Sequence, residues 1–246
     1  MSLSSVIAAA VVAFFVIEGV LLGKALVLGW ELSRSSSAFQ RTVNDASHRL
    51  LVVGDSTAVG TGAQPDESVA GRLAALLPNV SVVNLAENGA KAADLVGQLE
   101  AAPDLVFDAV LVQIGGNDIL RFTRSSTIRQ AMHRALQIAH DKAGLVVLMS
   151  TGDVGIAPGL PFPINQLYSW RTPRVHAVLR DAAQSTHTEY VDLYKPSLDD
   201  PFVEEPERFH AYDGLHPSAS GYAAWTTRLV EDSSIIPALG GEQPTG

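Results

Sequence analysis

Cysteine is absent from the 246 residues, and cations are scarce: 17 Lys and Arg stand against 26 Asp and Glu, a formal charge of −9 with histidine neutral. Without cysteine there is no disulfide, no thiolate nucleophile and no Cys-based zinc site, although a chain without thiols can work on either side of a membrane. The acidic balance makes an extended polyanion such as nucleic acid a poor partner. No internal repeat is visible. The usual phosphate-cradling loops are missing as well. A Walker loop ends in Gly-Lys-Ser/Thr, and the glycine-containing stretch from Gly54 to Gly62 holds no lysine. A G-x-G-x-x-G fingerprint starts at Gly60 and Gly62 and fails at Pro65. His210 stands near Asp213 and His216, but no H-x-x-x-H or comparable ligand set accompanies it. No cofactor and no metal are therefore expected.

What is present is enough apolar residue, 47%, for a sizeable core in one domain with an appendage. The appendage is the N-terminus. Residues 3–30 read LSSVIAAAVVAFFVIEGVLLGKALVLGW, with Glu18 and Lys24 as the only charges. A spanning helix needs about 20 mainly apolar residues, so the segment reads first as a membrane anchor. A cleavable signal peptide, leaving a secreted or periplasmic domain, is the rival reading. It lacks a basic n-region, and Ser36-Ser37-Ala38 is a poor cleavage match. An apolar helix docked on the domain is the third. Lys24, Arg34, Arg41 and Arg49 all follow the apolar run, which favours a cytoplasmic domain, but no charge precedes it to fix the side.

The expected division is an apolar segment over 1–30, a polar Ser-rich linker over 31–48, a folded domain over 49–235 and a flexible tail over 236–246. Such a modular chain would keep its domain intact without residues 1–40. Within the domain, apolar runs predict strands at 50–53, 80–86, 109–116, 145–151 and 189–194. Helical spacing predicts helices at 68–77, 90–102, 127–142 with Thr127 as cap, 166–184 despite Pro173, and 217–231. Short strands alternating with helices mean a parallel sheet covered on both faces, and such sheets bind ligands beyond the carboxyl ends of their strands.

Four short clusters fall at those ends. Gly54-Asp55-Ser56 follows the first strand. Gly89, in ENGAKAAD, follows the second and is expected at a helix start, with its N–H free. Asn117, in GGND, follows the third. Asp213 and His216 lie three residues apart in DGLHP, ahead of the last helix. Each alone reads as an ordinary turn or helix cap. Together they supply a hydroxyl, two oxyanion donors and a carboxylate beside an imidazole, the parts of an acyl-transfer site.

In these four blocks, spanning 54–217, the chain resembles the SGNH subgroup of the GDSL esterase/lipase family. The resemblance implies a flavodoxin-like three-layer α/β/α sandwich. It implies Ser56 as nucleophile, His216 as general base and then acid, and Asp213 as its orienting carboxylate. The Ser56 N–H, the Gly89 N–H and the Asn117 side chain would form the oxyanion hole. Thr57 departs from the family, which often has Leu there.

The implied activity is hydrolysis of lipid or short acyl esters, small-molecule or lipid esters being the expected substrates. A carbohydrate O-deacetylase or an acyltransferase would use the same residues. A non-catalytic binding module is the contrasting class, and the complete residue set argues against it. Two long irregular stretches, 152–170 with Ile156, Leu160, Phe162 and Trp170, and the acidic 195–212, are candidates to shape the substrate pocket.

Overall fold

The uninterrupted apolar runs form the centre of a sheet buried on both faces. The computed structural model describes residues 2–195 and 200–243. Its strands β1 (His48–Gly54), β2 (Val80–Asn84), β3 (Phe107–Gln113), β4 (Ala143–Met149) and β5 (Glu189–Val191) form one parallel sheet in the order β2-β1-β3-β4-β5. Helix α1 (Leu3–Ser35) leads the chain. Helices α2 (Ser56–Val59) and α3 (Val69–Leu76) follow β1, α4 (Leu95–Glu100) follows β2, and α5 (Gly116–Leu120) and α6 (Ser125–Lys142) follow β3. Helix α7 (Ile164–Ser185) follows β4. Helices α8 (Pro201–Glu204), α9 (Pro206–Phe209), α10 (Ala219–Asp232) and α11 (Ile235–Ala238) follow β5.

Successive residues of a strand face opposite sides. Leu51, Val53, Val110 and Val112 pack under α4, α6 and α7, against Leu95, Met132, Leu136 and Leu179. Leu50, Val52, Ala109 and Leu111 pack against Leu73, Tyr222, Leu229 and Ile235 of α3, α10 and α11. The result is the flavodoxin-like three-layer sandwich. In this strand order the chain leaves β1 toward one edge and β3 toward the other. The crevice at that switch point is where such sheets bind ligands, and Ser56 and Asn117 both follow its strands directly.

Several boundaries differ from expectation for identifiable reasons. The helix expected over 90–102 begins later, with a 3-10 turn at Ala92–Asp94 before α4. Gly89 therefore sits in a turn, not at a helix start. Thr127 lies inside α6, whose N-cap is Arg124. The GGND segment is not a simple turn: α5 starts at Gly116 and carries Asn117 in its first turn. The stretch 152–170 contains a 3-10 turn at Val154–Ile156 and enters α7 at Ile164. Residues 196–199 of the second long stretch and 244–246 of the tail lie outside the described residues. The packed chain runs past 235, because Ile236 and Leu239 are buried and Gln243 Nε2 donates to the Val230 carbonyl at 2.6 Å.

Residues 31–48 are not a free linker. Helix α1 runs to Ser35, and the chain then pairs with the outer edge of β2. Arg41 N donates to Val82 O at 3.1 Å, and Val82 N returns a bond to Arg41 O at 2.8 Å. The Arg41 guanidinium also donates to the carbonyls of Ala74 and Leu77, at the end of α3, and to Val80 O. An edge strand and a helix C-terminus both leave carbonyls without partners, and one arginine serves both.

Helix α1 is long and apolar enough to cross a membrane, with a mean hydropathy of 2.6 over an 18-residue window. Its C-terminal part also docks on the domain. Ala25, Gly29 and Leu32 are buried, and Asn88 Nδ2 donates to Ser33 O at 2.8 Å. Further back, the Phe14 ring meets Phe162 edge-on, 6.3 Å between centroids. Removing residues 1–40 would therefore uncover apolar surface and take away Gln40, whose side chain donates to Asn84 O and accepts from Asn84 N on β2, against the modular expectation.

At the other edge, Asp192 follows β5. Its carboxylate lies 3.0 Å from His176 Nδ1 and also pairs with Arg180. Burial alone would raise its pKa, but the bonds from His176 and Arg180 outweigh that and hold it at about 2. A carboxylate depressed in the folded state stabilises the fold above its unfolded pKa of ~3.9 and loses that contribution as pH falls toward the folded value. Asp192→Asn should lower stability by roughly 1–2 kcal/mol at pH 7, Arg180 being half exposed. Urea melts of both proteins should show the gap narrowing below about pH 4. A gap that stays constant down to pH 3 would show that the loss comes from the amide's hydrogen-bonding pattern and not from the missing charge.

Candidate active site

The first strand ends where it does because of Gly54. Its φ is +150°, and a Cβ there would lie 2.0 Å from Gln113 O on the neighbouring strand. The turn swings Asp55 under the start of α2, where its side chain accepts from the Thr57 N–H at 2.9 Å and from Thr57 Oγ1 at 2.7 Å. Asp55 is wholly buried, and burial pushes its pKa up, with the Thr57 bonds opposing. A leucine at 57 would provide only the backbone donor. The departure from the family pattern thus gives a buried carboxyl a second hydrogen bond. Ser56 becomes the first residue of α2, at the mouth of the β1–β3 crevice.

The last block meets the first across Gly62. A Cβ at Gly62, where φ is +107°, would lie 2.2 Å from Pro217 O and 3.3 Å from His216 Cβ. Only glycine allows the two turns to approach this closely. The buried Tyr222 hydroxyl reinforces the approach by donating to Thr61 O at 2.8 Å. Within DGLHP, Asp213 Oδ1 accepts from the N–H groups of Leu215 and His216 at 3.0 and 3.1 Å. Its other oxygen, Oδ2, lies 2.6 Å from His216 Nδ1. Burial would raise the pKa of Asp213, but His216 and the two backbone donors outweigh it and hold the carboxyl below its ordinary value. His216 Nε2 then stands 3.0 Å from Ser56 Oγ.

The second and third blocks are joined by Asp118. Its Oδ2 accepts from Ala92 N at 2.8 Å, and burial is the chief cause of its raised pKa. The bond holds the turn at Gly89 beside the first turn of α5. Ser56, Gly89, Asn117 and His216 line one cleft of about 680 Å³. Gly89 has a φ of +82°, and a Cβ there would meet Arg121 Nη2 at 3.1 Å. The backbone N–H groups of Ser56 and Gly89 and the amide of Asn117 make no hydrogen bond to the described residues. All five residues picked out from sequence thus converge on one place. The arrangement can deprotonate a hydroxyl, hold the resulting imidazolium against a carboxylate, and offer uncommitted N–H donors to a developing oxyanion.

The apolar part of the cleft comes from both long stretches. Ile156 and Leu160 line it, as do Phe202 and His210 of the second stretch. Phe162 and Trp170 do not; both are exposed outside it. His210, considered as a metal partner, spends Nδ1 on the Pro206 carbonyl at 3.0 Å, and burial is the chief cause of its lowered pKa. Among the described residues, no group of three or more His, Asp or Glu could hold a metal ion. Sequence reasoning missed Leu22, Ala25 and Gly29 of α1, which also line the cleft. It missed Asn88 too, whose Oδ1 accepts from Thr61 Oγ1 at 2.7 Å.

The chain resembles known proteins in the same region. It is 28% identical over 184 residues to a GDSL-like esterase of Mycobacterium tuberculosis, a match covering 71% of this chain and 58% of that protein. Among solved structures, a lipolytic protein of the G-D-S-L family from Veillonella parvula superimposes with a TM-score of 0.58 at 17% identity. That match covers 74% of this chain and 96% of the other. Axe2, an acetylxylan esterase from Geobacillus stearothermophilus, gives 0.56 at 20% identity, covering 82% and 98%. At such identities these two structures establish the fold alone. The GDSL-like lipase/acylhydrolase family model matches residues 52–224, a stretch that holds Ser56, Gly89, Asn117, Asp213 and His216. By that match the chain belongs to the GDSL-like lipase/acylhydrolase family.

Proposed function

We propose that the protein is a serine esterase that hydrolyses carboxylic esters, lipid or short acyl, through an acyl-enzyme on Ser56. The observation that carries this reading is the continuous relay from Asp213 Oδ2 to His216 Nδ1, and from His216 Nε2 to Ser56 Oγ, at 2.6 and 3.0 Å. His216 takes the serine proton as Oγ attacks the ester carbon, and the carbonyl oxygen gains the negative charge. The N–H groups of Ser56 and Gly89 and the Asn117 amide receive that oxyanion. Collapse of the tetrahedral species breaks the ester C–O bond, and the imidazolium returns its proton to the departing alkoxide. Water then attacks the acyl-enzyme with His216 again as base, releasing the acid and regenerating Ser56.

The lining of Leu120, Val154, Ile156, Leu160, Leu193 and Trp225 supports an acyl group with hydrocarbon beyond the acetyl carbon. The Geobacillus enzyme acts on acetylxylan; an apolar cleft is poorly suited to a sugar chain. Helix α1 supports a protein held at a membrane. Full-length protein in detergent should hydrolyse p-nitrophenyl esters, with kcat/KM rising from acetate to hexanoate. No hydrolysis at any chain length would sink the esterase reading, and a preference for acetate alone would favour the deacetylase.

A further inference from the structure

We infer that the C-terminal turns of α1 are a wall of the active site, so that the helix which reads as an anchor also fixes acyl-chain preference and the position of the triad carboxylate. This rests on the esterase reading above. Residues Leu22, Ala25, Leu26, Gly29 and Ser33 all line the catalytic cleft. Their spacing of three and four places them on one helix face. Gly29 is buried, and a Cβ built on it would lie 3.4 Å from Asp213 Oδ2, the oxygen that faces His216. The helix backbone thus closes over the catalytic carboxylate, whose side chain is fully shielded. In contrast, a Cβ on Gly19 or Gly23 would meet nothing within 4 Å.

Two further contacts tie the helix to the chemistry. Ser33 O accepts from Asn88 Nδ2 at 2.8 Å, and Asn88 directly precedes Gly89, a proposed oxyanion donor. Leu22 packs on the buried cluster that contains Val154, Ala157 and Leu160, and all three of those line the same cleft. The apolar end of the cleft is therefore built jointly by α1 and the domain. A longer acyl chain must run along Leu22 and Ala25.

The test uses full-length protein in detergent, with Ser56→Ala as the baseline for the esterase reading. Ala25→Leu adds volume to the cleft and should lower the ratio of hexanoate to acetate kcat/KM about tenfold, since each methylene excluded from an apolar pocket costs ~10-fold or more. Leu22→Ala only removes volume, guards against misfolding, and should raise activity on octanoate relative to hexanoate. Gly29→Val should cut kcat on the order of 10²-fold with KM nearly unchanged, because it displaces Asp213 and not the substrate. Gly29→Ala, whose Cβ makes only ordinary contact, should retain most of the rate. Gly19→Leu should match wild type throughout. If Ala25→Leu and Leu22→Ala leave the chain-length ratios within twofold of wild type, or Gly29→Val keeps its kcat, the wall is overturned. In that event an inactive Ser56→Ala would leave the esterase reading standing, and an active Ser56→Ala would remove it.

Discussion

Ser56→Ala is expected to lower kcat for p-nitrophenyl ester hydrolysis on the order of 10⁵–10⁶-fold, the scale seen when a serine hydrolase loses its nucleophile. The argument is local. Among the described residues Ser56 Oγ has one hydrogen-bond partner, His216 Nε2 at 3.0 Å, so its removal deletes the proposed attacking atom and little else. Asp55 caps α2 without help from the serine side chain. The β1 backbone is held by β2 and β3 on either side. Circular dichroism and melting temperature should therefore match wild type. A folded Ser56→Ala protein with activity within tenfold of wild type would remove the nucleophile assignment.

Asn117→Ala is expected to lower kcat on the order of 10²–10³-fold while KM changes little. The amide sits in the first turn of α5 and makes no hydrogen bond to the described residues, so alanine strands no protein partner. Its proposed ligand is the oxyanion, which exists only as the transition state forms. An interaction made only there lowers kcat when lost and leaves ground-state binding alone. Asp118 still accepts from Ala92 in the variant, so the turn at Gly89 keeps its place. A rise in KM with kcat preserved would make Asn117 a substrate-binding residue instead.

The parts of the fold legible in the sequence are those where local pattern and tertiary demand coincide. Strands β1, β3 and β4 are buried on both faces and show as unbroken apolar runs. Strand β5 lies at an edge with Glu189 and Tyr190 half-buried, and only three residues pair before Asp192 turns to His176 and Arg180. Its sequence looks longer than its ladder because the later apolar residues serve a loop. Helix α5 was hidden because Gly115 and Gly116 have little helix propensity; the first turn is held by the surrounding structure. Ser56 and Asn117 were legible because they follow β1 and β3 closely; Asp213 and His216 lie beyond α9, and the close approach of Gly62 to Pro217 brings them to Ser56.

The docking of α1 was not legible, for a different reason. A helix is assigned a buried face when apolar and polar sides contrast. Here both sides are apolar, and the docked face differs by small residues, Ala25 and Gly29, more than by polarity. Whether such a face meets lipid or protein is decided by the domain, whose shape at Asp213 no local window contains. The same holds for Gly62. Its neighbours in sequence say turn, but what requires glycine is the carbonyl of Pro217, far along the chain.

The edge-on contact of Phe14 with Phe162 sets how deep the domain would sit in a bilayer if α1 spans one. The turns that line the cleft begin at Leu22, which leaves the 19 residues from Leu3 to Leu21 free of the cleft. At ~1.5 Å per residue they cover ~28 Å, close to the ~30 Å of hydrocarbon. Phe14 would then lie ~10 Å below the boundary set by Leu21, and Phe162 beside it. Under that geometry the domain does not stand clear of the membrane on a stalk. It is partly submerged, and an amphiphile could pass from the lipid layer into the catalytic cleft by sliding along α1, with its hydrocarbon scarcely crossing open water.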